Sequence, residues 1–328
     1  MNKSRIRKIS TPLFPILDVL LSPFTLLASF LLYAIRKMRL SNMPVSKKIF
    51  KTVGVFPITN HYYEPLFDDR LLTRSLDRDR SLPGIDWNSQ QQLGLLEQFH
   101  YQEELLAFPY SNPGGTLSFY FDNPSLGPGD AEYLYCMVRH FKPKKIIEIG
   151  SGYSTLMAKS AVEKNKEENP GIETETICIE PYEMPWLEKT GAQVLRKKVE
   201  EIEPSFFQTL GAGDFLFIDS SHMVRPQGDV LFEILEILPM LRQGVFIHIH
   251  DIFSPKDYGE LHLVHEVLFW NEQYVLEAFL SCNPDFEIIA AVNYLKNHFP
   301  VELHAKLPWL KNDPKHEPGS FWIRKKER

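Results

Sequence analysis

Apolar positions are spread unevenly along the chain. Leu13 to Ile35, LFPILDVLLSPFTLLASFLLYAI, contains one charge, Asp18, and Val19 to Ile35 contains none. Lys3, Arg5, Arg7 and Lys8 precede this run, and Arg36, Lys37 and Arg39 close it. At about 1.5 Å per helical residue, such a run covers about 35 Å, enough to cross a hydrocarbon core of about 30 Å with tilt. Pro15, Asp18 and Pro23 lie in its first half, which also suits a segment entering from one side or lying in the interface. A cleaved signal peptide fits less well, because the apolar run ends in Arg36-Lys37 and not in small residues. A helix docked on a soluble domain is the remaining alternative. Lys47, Lys48 and Lys51 extend the downstream basic flank, and this excess favours a cytoplasmic location for the rest of the chain.

From about 52 to 130 the periodicity gives way to turn formers, at Pro83-Gly84, Asn112-Pro113-Gly114-Gly115, Asn123-Pro124 and Gly127-Pro128-Gly129. One helical stretch, Ser89 to Leu106, interrupts them. The expected organisation is a basic and apolar anchor segment over 1–45, an irregular extension or lid over 46–129, and a main domain over 130–328.

From Asp130 the pattern alternates between helix and strand. Asp130 caps a helix, AEYLYCMVRHF, that Pro143 stops. Short apolar runs predict strands at Lys145–Ile149, Thr176–Glu180, Gln193–Leu195, Phe215–Asp219 and Gly244–His250. Helices are expected over Ser154–Lys164, Glu183–Lys189, from Pro204 onward, Asp229–Leu241 and about 258–282. Two further β-rich pieces, Phe286–Ala291 and Ser320–Ile323, show no helix pattern between them and suggest an antiparallel hairpin at the sheet edge. Alternation of this kind implies an α/β fold, a parallel sheet with helices on both faces.

Composition narrows the function classes. Lys and Arg total 36 against 42 Asp and Glu, a net charge of −6, which argues against a nucleic-acid binder. Cys136, Cys178 and Cys282 lie far apart and form no zinc-like pair; an odd number suits a reducing compartment.

The candidate chemistry lies at strand ends. Gly150-Ser151-Gly152 follows the first strand and opens a helix, the arrangement in which backbone N–H groups approach a ligand. By itself this partial glycine fingerprint fits a tight turn without ligand equally well. Three acids, Glu148, Glu180 and Asp219, fall at the carboxyl ends of the first, second and fourth strands, where open α/β sheets bind ligands.

The segment IIEIGSGYST resembles the first motif of class I S-adenosylmethionine-dependent methyltransferases. More narrowly, the chain resembles the bacterial family labelled methyltransferase domain 24. The shared stretches are DWNSQQQLGLLEQF, FDNPSLGPGDAEYLY, EIGSGYST, IEPY, FLFIDSSH, GVFIHIHDIF and WNEQY, and the resemblance covers roughly residues 83 to 292. The resemblance implies a Rossmann-like, doubly wound, seven-stranded and mostly parallel sheet, here with an N-terminal apolar helix and an irregular extension. It also implies S-adenosyl-L-methionine as methyl donor. Carried over, Glu148, Gly150, Ser151, Gly152 and Ser154 would surround the methionine end, Glu180 would hold the ribose, and Asp219 would face the reaction centre. Asn123 and Asp130 would close over the donor. Tyr153 departs from the pattern, taking the place of a third glycine.

His222, His250 and Asp251 are the candidates for catalysis. His248 and His250 alternate on the fifth strand and so share a face, and His248 reads best as a core histidine. Related sugar and antibiotic O-methyltransferases hold a divalent metal with acids at the ends of strands four and five, and Asp219, His250 and Asp251 match those places. Oxygen ligands favour magnesium, and histidine tilts the set toward manganese, iron or zinc. The implied acceptor is a hydroxyl on a sugar, glycan or other small molecule. Two other classes fit parts of the pattern: an NAD-dependent oxidoreductase, and a non-catalytic membrane-associated donor-binding protein.

Overall fold

The computed structural model describes residues 13–65, 68–114 and 117–326. The chain divides into two compact units, Met1–Thr73 and Arg74–Arg328.

In the first unit, α1 (Phe14–Lys37) is a continuous 24-residue helix despite Pro23 in its interior. Its hydroxyls turn back onto its own backbone: Ser22, Thr25 and Ser29 donate to the carbonyls of Val19, Leu21 and Thr25. Among the described residues, none of this helix is buried. Arg36 Nε donates to Glu64 Oε1 at 2.9 Å. The following α2 (Pro44–Val53) ends at Gly54, whose φ of +81° is readily adopted only without a side chain. Val45, Ile49 and Val53 are exposed along one stripe of α2, while Phe50 is buried with its ring 6.0 Å from Phe56.

The second unit is built on a sheet of β1 (Lys145–Ile149), β2 (Glu175–Ile179), β3 (Gln193–Leu195), β4 (Phe215–Ile218), β5 (Phe246–Ile249), β6 (Phe286–Ala291) and β7 (Phe321–Lys325). Among the described residues the order is β3-β2-β1-β4-β5-β7-β6. Pairing is parallel from β3 through β5, and β7 is antiparallel to both β5 and β6. Side-chain alternation sends Ile146, Phe215, Phe217 and Phe246 into one core, and Ile147, Ile149, Leu216, Ile218, Ile247 and Ile249 into the other. The strand order reverses between β1 and β4, the place where an open α/β sheet leaves a crevice at its carboxyl edge.

Residues 74–129 pack within this same unit. The expected helix over Ser89–Leu106 is two, α3 (Ser89–Glu97) and α4 (Gln102–Leu106). Leu96, Phe99, Leu105, Phe119, Phe121 and Leu126 all enter the core that faces α5 (Asp130–Phe141) and α6 (Tyr153–Glu168). Gln92 Oε1 accepts the Ala291 N–H at 2.8 Å, and Trp87 stacks on Tyr294 at 4.9 Å.

Several expected elements take other forms. The stretch 183–189 holds a short 3₁₀ turn, Leu187–Thr190, and the helix from Pro204 is a 3₁₀ segment, Pro204–Thr209. The helix after β4 begins as α7 (Asp229–Phe232), widens into a π turn at Glu233–Ile237 and ends as α8 (Leu238–Met240). Of 258–282, only α9 (Glu272–Leu280) is α-helical, after a π turn at Leu261–His265. The last two strands pair antiparallel, but β7 enters between β5 and β6, so they do not form an edge hairpin. Three helices lie between them: α10 (Val292–His298), α11 (Pro300–Lys306) and α12 (Pro308–Asn312). Each is at most seven residues and buries only a few apolar side chains, such as Leu303 and Leu310, too few to set up a visible period. Glu132 ties this segment to α5: its buried carboxylate accepts the N–H groups of Gly129, Trp309 and Leu310 at 2.7–2.9 Å.

Candidate active site

The first half of the site is the turn between β1 and α6. Asp219 N–H donates to Ile149 O at 2.8 Å, and Gly150 N–H donates to Ile179 O at 3.0 Å. Gly150 has φ +73°, and a Cβ there would lie 1.8 Å from the carbonyl oxygen of Asp219. Only glycine fits where β1 and β4 pass this closely. At Gly152, by contrast, a Cβ would meet nothing closer than Met184 Cε at 3.6 Å.

Beneath the turn lies Glu148, fully buried. Its Oε2 accepts from Thr155 Oγ1 at 2.5 Å, and its Oε1 has no hydrogen-bond partner among the described residues. Burial pushes its carboxyl up to about 7, against the bond from Thr155, which favours the charged form. Ser151 Oγ is likewise buried without a partner. Above them opens a cavity of about 170 Å³ lined by Gly150, Ser151, Gly152, Ser154, Glu180 and Asp219, with Ser125, Leu126 and Met184 closing it. Six of the seven donor-site residues expected from the sequence therefore share one cavity, and the seventh, Glu148, lies under its floor. Glu180 Oε1 accepts the N–H groups of Tyr182 and Glu183, each at 2.8 Å, which holds the carboxylate at the strand end. Asn123 ties its own turn, donating to Tyr120 O and Leu126 O, and so shapes the Ser125–Leu126 wall. Asp130 is turned away, its Oδ1 accepting from Ser320 N–H at 2.7 Å.

The second half lies past the ends of β4 and β5. His222 Nε2 stands 3.4 Å from Asp219 Oδ1 and 3.5 Å from Asp251 Oδ2. On the other side of the ring, Nδ1 meets Glu272 Oε2 at 2.8 Å. His222 and Asp251 both have positive φ, 58° and 55°. Such conformations cost about 1–3 kcal/mol each for non-glycine residues and persist where surrounding structure holds them. Gly319 supplies part of that hold for Asp251: a Cβ there would meet Asp251 Cα at 2.7 Å, and Gly319 O accepts the Ile252 N–H at 2.9 Å.

The electrostatics follow from this packing. Burial opposes a charged His222, but hydrogen bonds to Asp219 and Glu272 outweigh it and raise its pKa well above the ordinary value. Burial also opposes charge on Asp219, yet His250 and His222 hold it below the usual carboxylate range. Burial pushes Glu272 up, and His222 offsets part of the rise. Burial and the neighbouring Glu272 push the Glu233 carboxyl well above the usual carboxylate range.

The sequence set for a cation was Asp219, His250 and Asp251. The structure instead gathers ligand atoms of Asp219, His222 and Asp251 within 4.8 Å of one another. His250 lies beside this group, Nε2 3.8 Å from Asp251 Oδ1. The reason is geometric. The strand carries His248 and His250 to one face, where both rings lie over Phe217, whereas the loop after β4 turns back at His222. His248 is a core residue: fully buried, 4.1 Å from the Phe217 ring and 3.0 Å from Ser320 Oγ. The donor set, two carboxylates and an imidazole, suits a divalent cation. Sequence reading missed Glu272 and Gly319; the WNEQY stretch, which carries Glu272, was the only signal for either.

Residues 147–252 match the family model for a methyltransferase domain, a span from within β1 to just past Asp251. An uncharacterized protein of Archaeoglobus fulgidus is 27% identical over 177 residues, covering 50% of this chain and 78% of that protein. Among solved structures, a protein of Thermobifida fusca described as a methyltransferase is similar with a TM-score of 0.39 and 14% identity, over 77% of this chain and 97% of its own. A protein-L-isoaspartate O-methyltransferase from Plasmodium falciparum, in complex with S-adenosyl-L-homocysteine, gives a TM-score of 0.28 and 12% identity, over 48% and 83%. Scores this low carry no argument about substrate.

Proposed function

We propose that the chain is a class I S-adenosylmethionine-dependent methyltransferase and that it methylates a hydroxyl of a sugar, glycan or other small molecule at the Asp219–His222–Asp251 focus. One observation carries the reading: Asp219 both lines the donor cavity and belongs to the focus, so the two halves meet at a single carboxylate. The unpartnered Glu148 Oε1 and Ser151 Oγ suit the polar methionine end of the donor, and Glu180 suits the ribose diol.

Transfer is an in-line displacement. The acceptor oxygen bonds to the methyl carbon, the methyl–sulfur bond breaks, S-adenosylhomocysteine leaves, and the hydroxyl proton passes to a base. Holding both reactants in line supplies much of the acceleration. Asp251 and the neighbouring His250, 3.8 Å apart, are the pair assigned to accept that proton. Asp219, His222 and Asp251 would hold a divalent cation, magnesium or manganese, which when bound lowers the pKa of a coordinated hydroxyl. The test is methyl transfer to a panel of hydroxylated glycans with and without chelator. Transfer that chelator abolishes is the expected result. Transfer only to amines or carboxylates would overturn the hydroxyl assignment, and chelator-resistant transfer would overturn the cation.

The same reading places α1 in a membrane, with the catalytic unit on the cytoplasmic side. Support comes from its 24 residues, its unburied apolar surface and the internal bonding of its hydroxyls. Fractionation of the full chain and of a form lacking residues 1–40 tests this. Full-length protein in the soluble fraction without detergent would remove the anchor.

A further inference from the structure

We infer that Glu272 is a positioning residue that sets the tautomer of His222, so that Nε2 presents its lone pair beside Asp219 and Asp251. The inference rests on the cation reading above and assigns a role to a residue outside the donor cavity and the cation trio. Three consecutive residues grip one histidine. Trp270 lies against the His222 ring, centroids 4.4 Å apart. Asn271 Oδ1 accepts the Val224 N–H at 2.6 Å, and the N–H groups of Asn271 and Glu272 donate to His222 O at 3.0 and 3.3 Å. Glu272 Oε2 then lies 2.8 Å from Nδ1, from a position that is 1% exposed. A carboxylate that accepts the proton of one ring nitrogen commits the other to ligation, and such outer partners orient metal-binding histidines in general.

The distances on the far side of the ring agree. A direct charge-assisted bond between Nε2 and a carboxylate would bring the two to about 2.8 Å. Asp219 and Asp251 instead stand back at 3.4 and 3.5 Å, leaving a space edged by three ligand atoms. The left-handed backbone at His222 gives the same sense: the loop is bent, at a conformational cost, to bring this ring between Glu272 and the two aspartates.

The experiment measures Mn²⁺ binding to the full-length protein in detergent, by loss of the free-ion electron paramagnetic resonance signal, with S-adenosylhomocysteine calorimetry alongside. Glu272→Gln should weaken Mn²⁺ by about 10–100-fold, while S-adenosylhomocysteine affinity stays within about twofold. Glu272→Asp, which keeps the charge, should recover part of the loss. Histidine ¹⁵N spectra of the metal-free wild type, taken at a pH alkaline enough to leave the ring neutral, should show His222 protonated at Nδ1. Wild-type Mn²⁺ binding with unchanged affinity in Glu272→Gln overturns the role of Glu272 and leaves the cation reading standing. Absence of Mn²⁺ binding by the wild type overturns the cation reading and this inference with it. If Glu272→Gln does not fold, the aspartate variant and the wild-type tautomer decide, and an Nε2–H tautomer overturns the inference.

Discussion

The two halves of the site differ in how their polar groups are satisfied. At the β1–α6 turn, Glu148 Oε1 and Ser151 Oγ are buried without partners among the described residues, and the lining is mostly short backbone and small side chains. Past β4 and β5, His222 is bonded or closely apposed to three carboxylates, from Asp219, Asp251 and Glu272. The donor half thus presents unmet hydrogen-bonding capacity in a rigid cradle, whereas the other half is already assembled by its own charges. Unmet capacity suits a large ligand that brings its own polar groups. Preassembled charge suits a centre that must hold a proton or cation in place throughout the reaction.

If this division is correct, changes on the two sides separate in the measurements. The largest effect is expected for Asp251→Asn, which should lower methyl transfer by about 10²–10⁴-fold. S-Adenosylhomocysteine affinity by calorimetry should stay within a few-fold, since Asp251 is not in the cavity lining. Normal turnover would remove Asp251 from the mechanism and shift the base to His222. Gly150→Ala should act on both halves at once, because its Cβ would strike the backbone of Asp219. A stability loss of about 2–4 kcal/mol is expected, read as a lower melting temperature together with weaker donor binding. Glu180→Ala should weaken S-adenosylhomocysteine by about 1.5–3 kcal/mol and leave the transfer rate at saturating donor nearly unchanged; an unaltered dissociation constant would exclude it from the ribose site.

Glu148 offers a pH test of the donor half. Burial raises its folded-state carboxyl to about 7 from an ordinary 4.5. A raised folded pKa stabilises the fold fully below the unfolded value, and that contribution is lost as pH rises through the folded one. Donor-free protein should therefore lose stability between about pH 4.5 and 7, while affinity for the donor's cationic amine should rise over the upper part of that window. Glu148→Gln should flatten both profiles. The smallest effect is expected for Tyr153→Phe. It removes one hydroxyl contact, Tyr120 Oη to Tyr153 Oη at 2.9 Å, and should cost about 0.5–1.5 kcal/mol of stability with little change in donor binding.

The geometry of the candidate donor half was legible in the sequence because its signals are local. A short apolar run, two glycines and a helix start within about ten residues define the turn, and strand ends place Glu180 and Asp219 at the same edge. The long apolar run Leu13–Ile35 needed no tertiary partner to appear as a helix, since length and composition sufficed. The strand–helix alternation likewise anticipated β1 to β5, as buried parallel strands read as continuous apolar runs.

Other features were decided only in three dimensions. Period-two alternation states that His248 and His250 share a face, but it cannot say which loop returns to meet Asp251. Backbone contacts from Asn271 and Glu272 bring His222 there instead. The insertion of β7 between β5 and β6 depends on 29 residues of intervening chain, from Val292 to Ser320, whose helices are too short to leave a period. Glu272 reads in sequence as an ordinary acid inside the helix expected over about 258–282; burial and the 2.8 Å contact with His222, 50 residues away, make it part of the site. Local patterns of hydrophobicity and backbone freedom determine elements and their edges, whereas the meeting of charged side chains across loops is set by the packing of the whole unit.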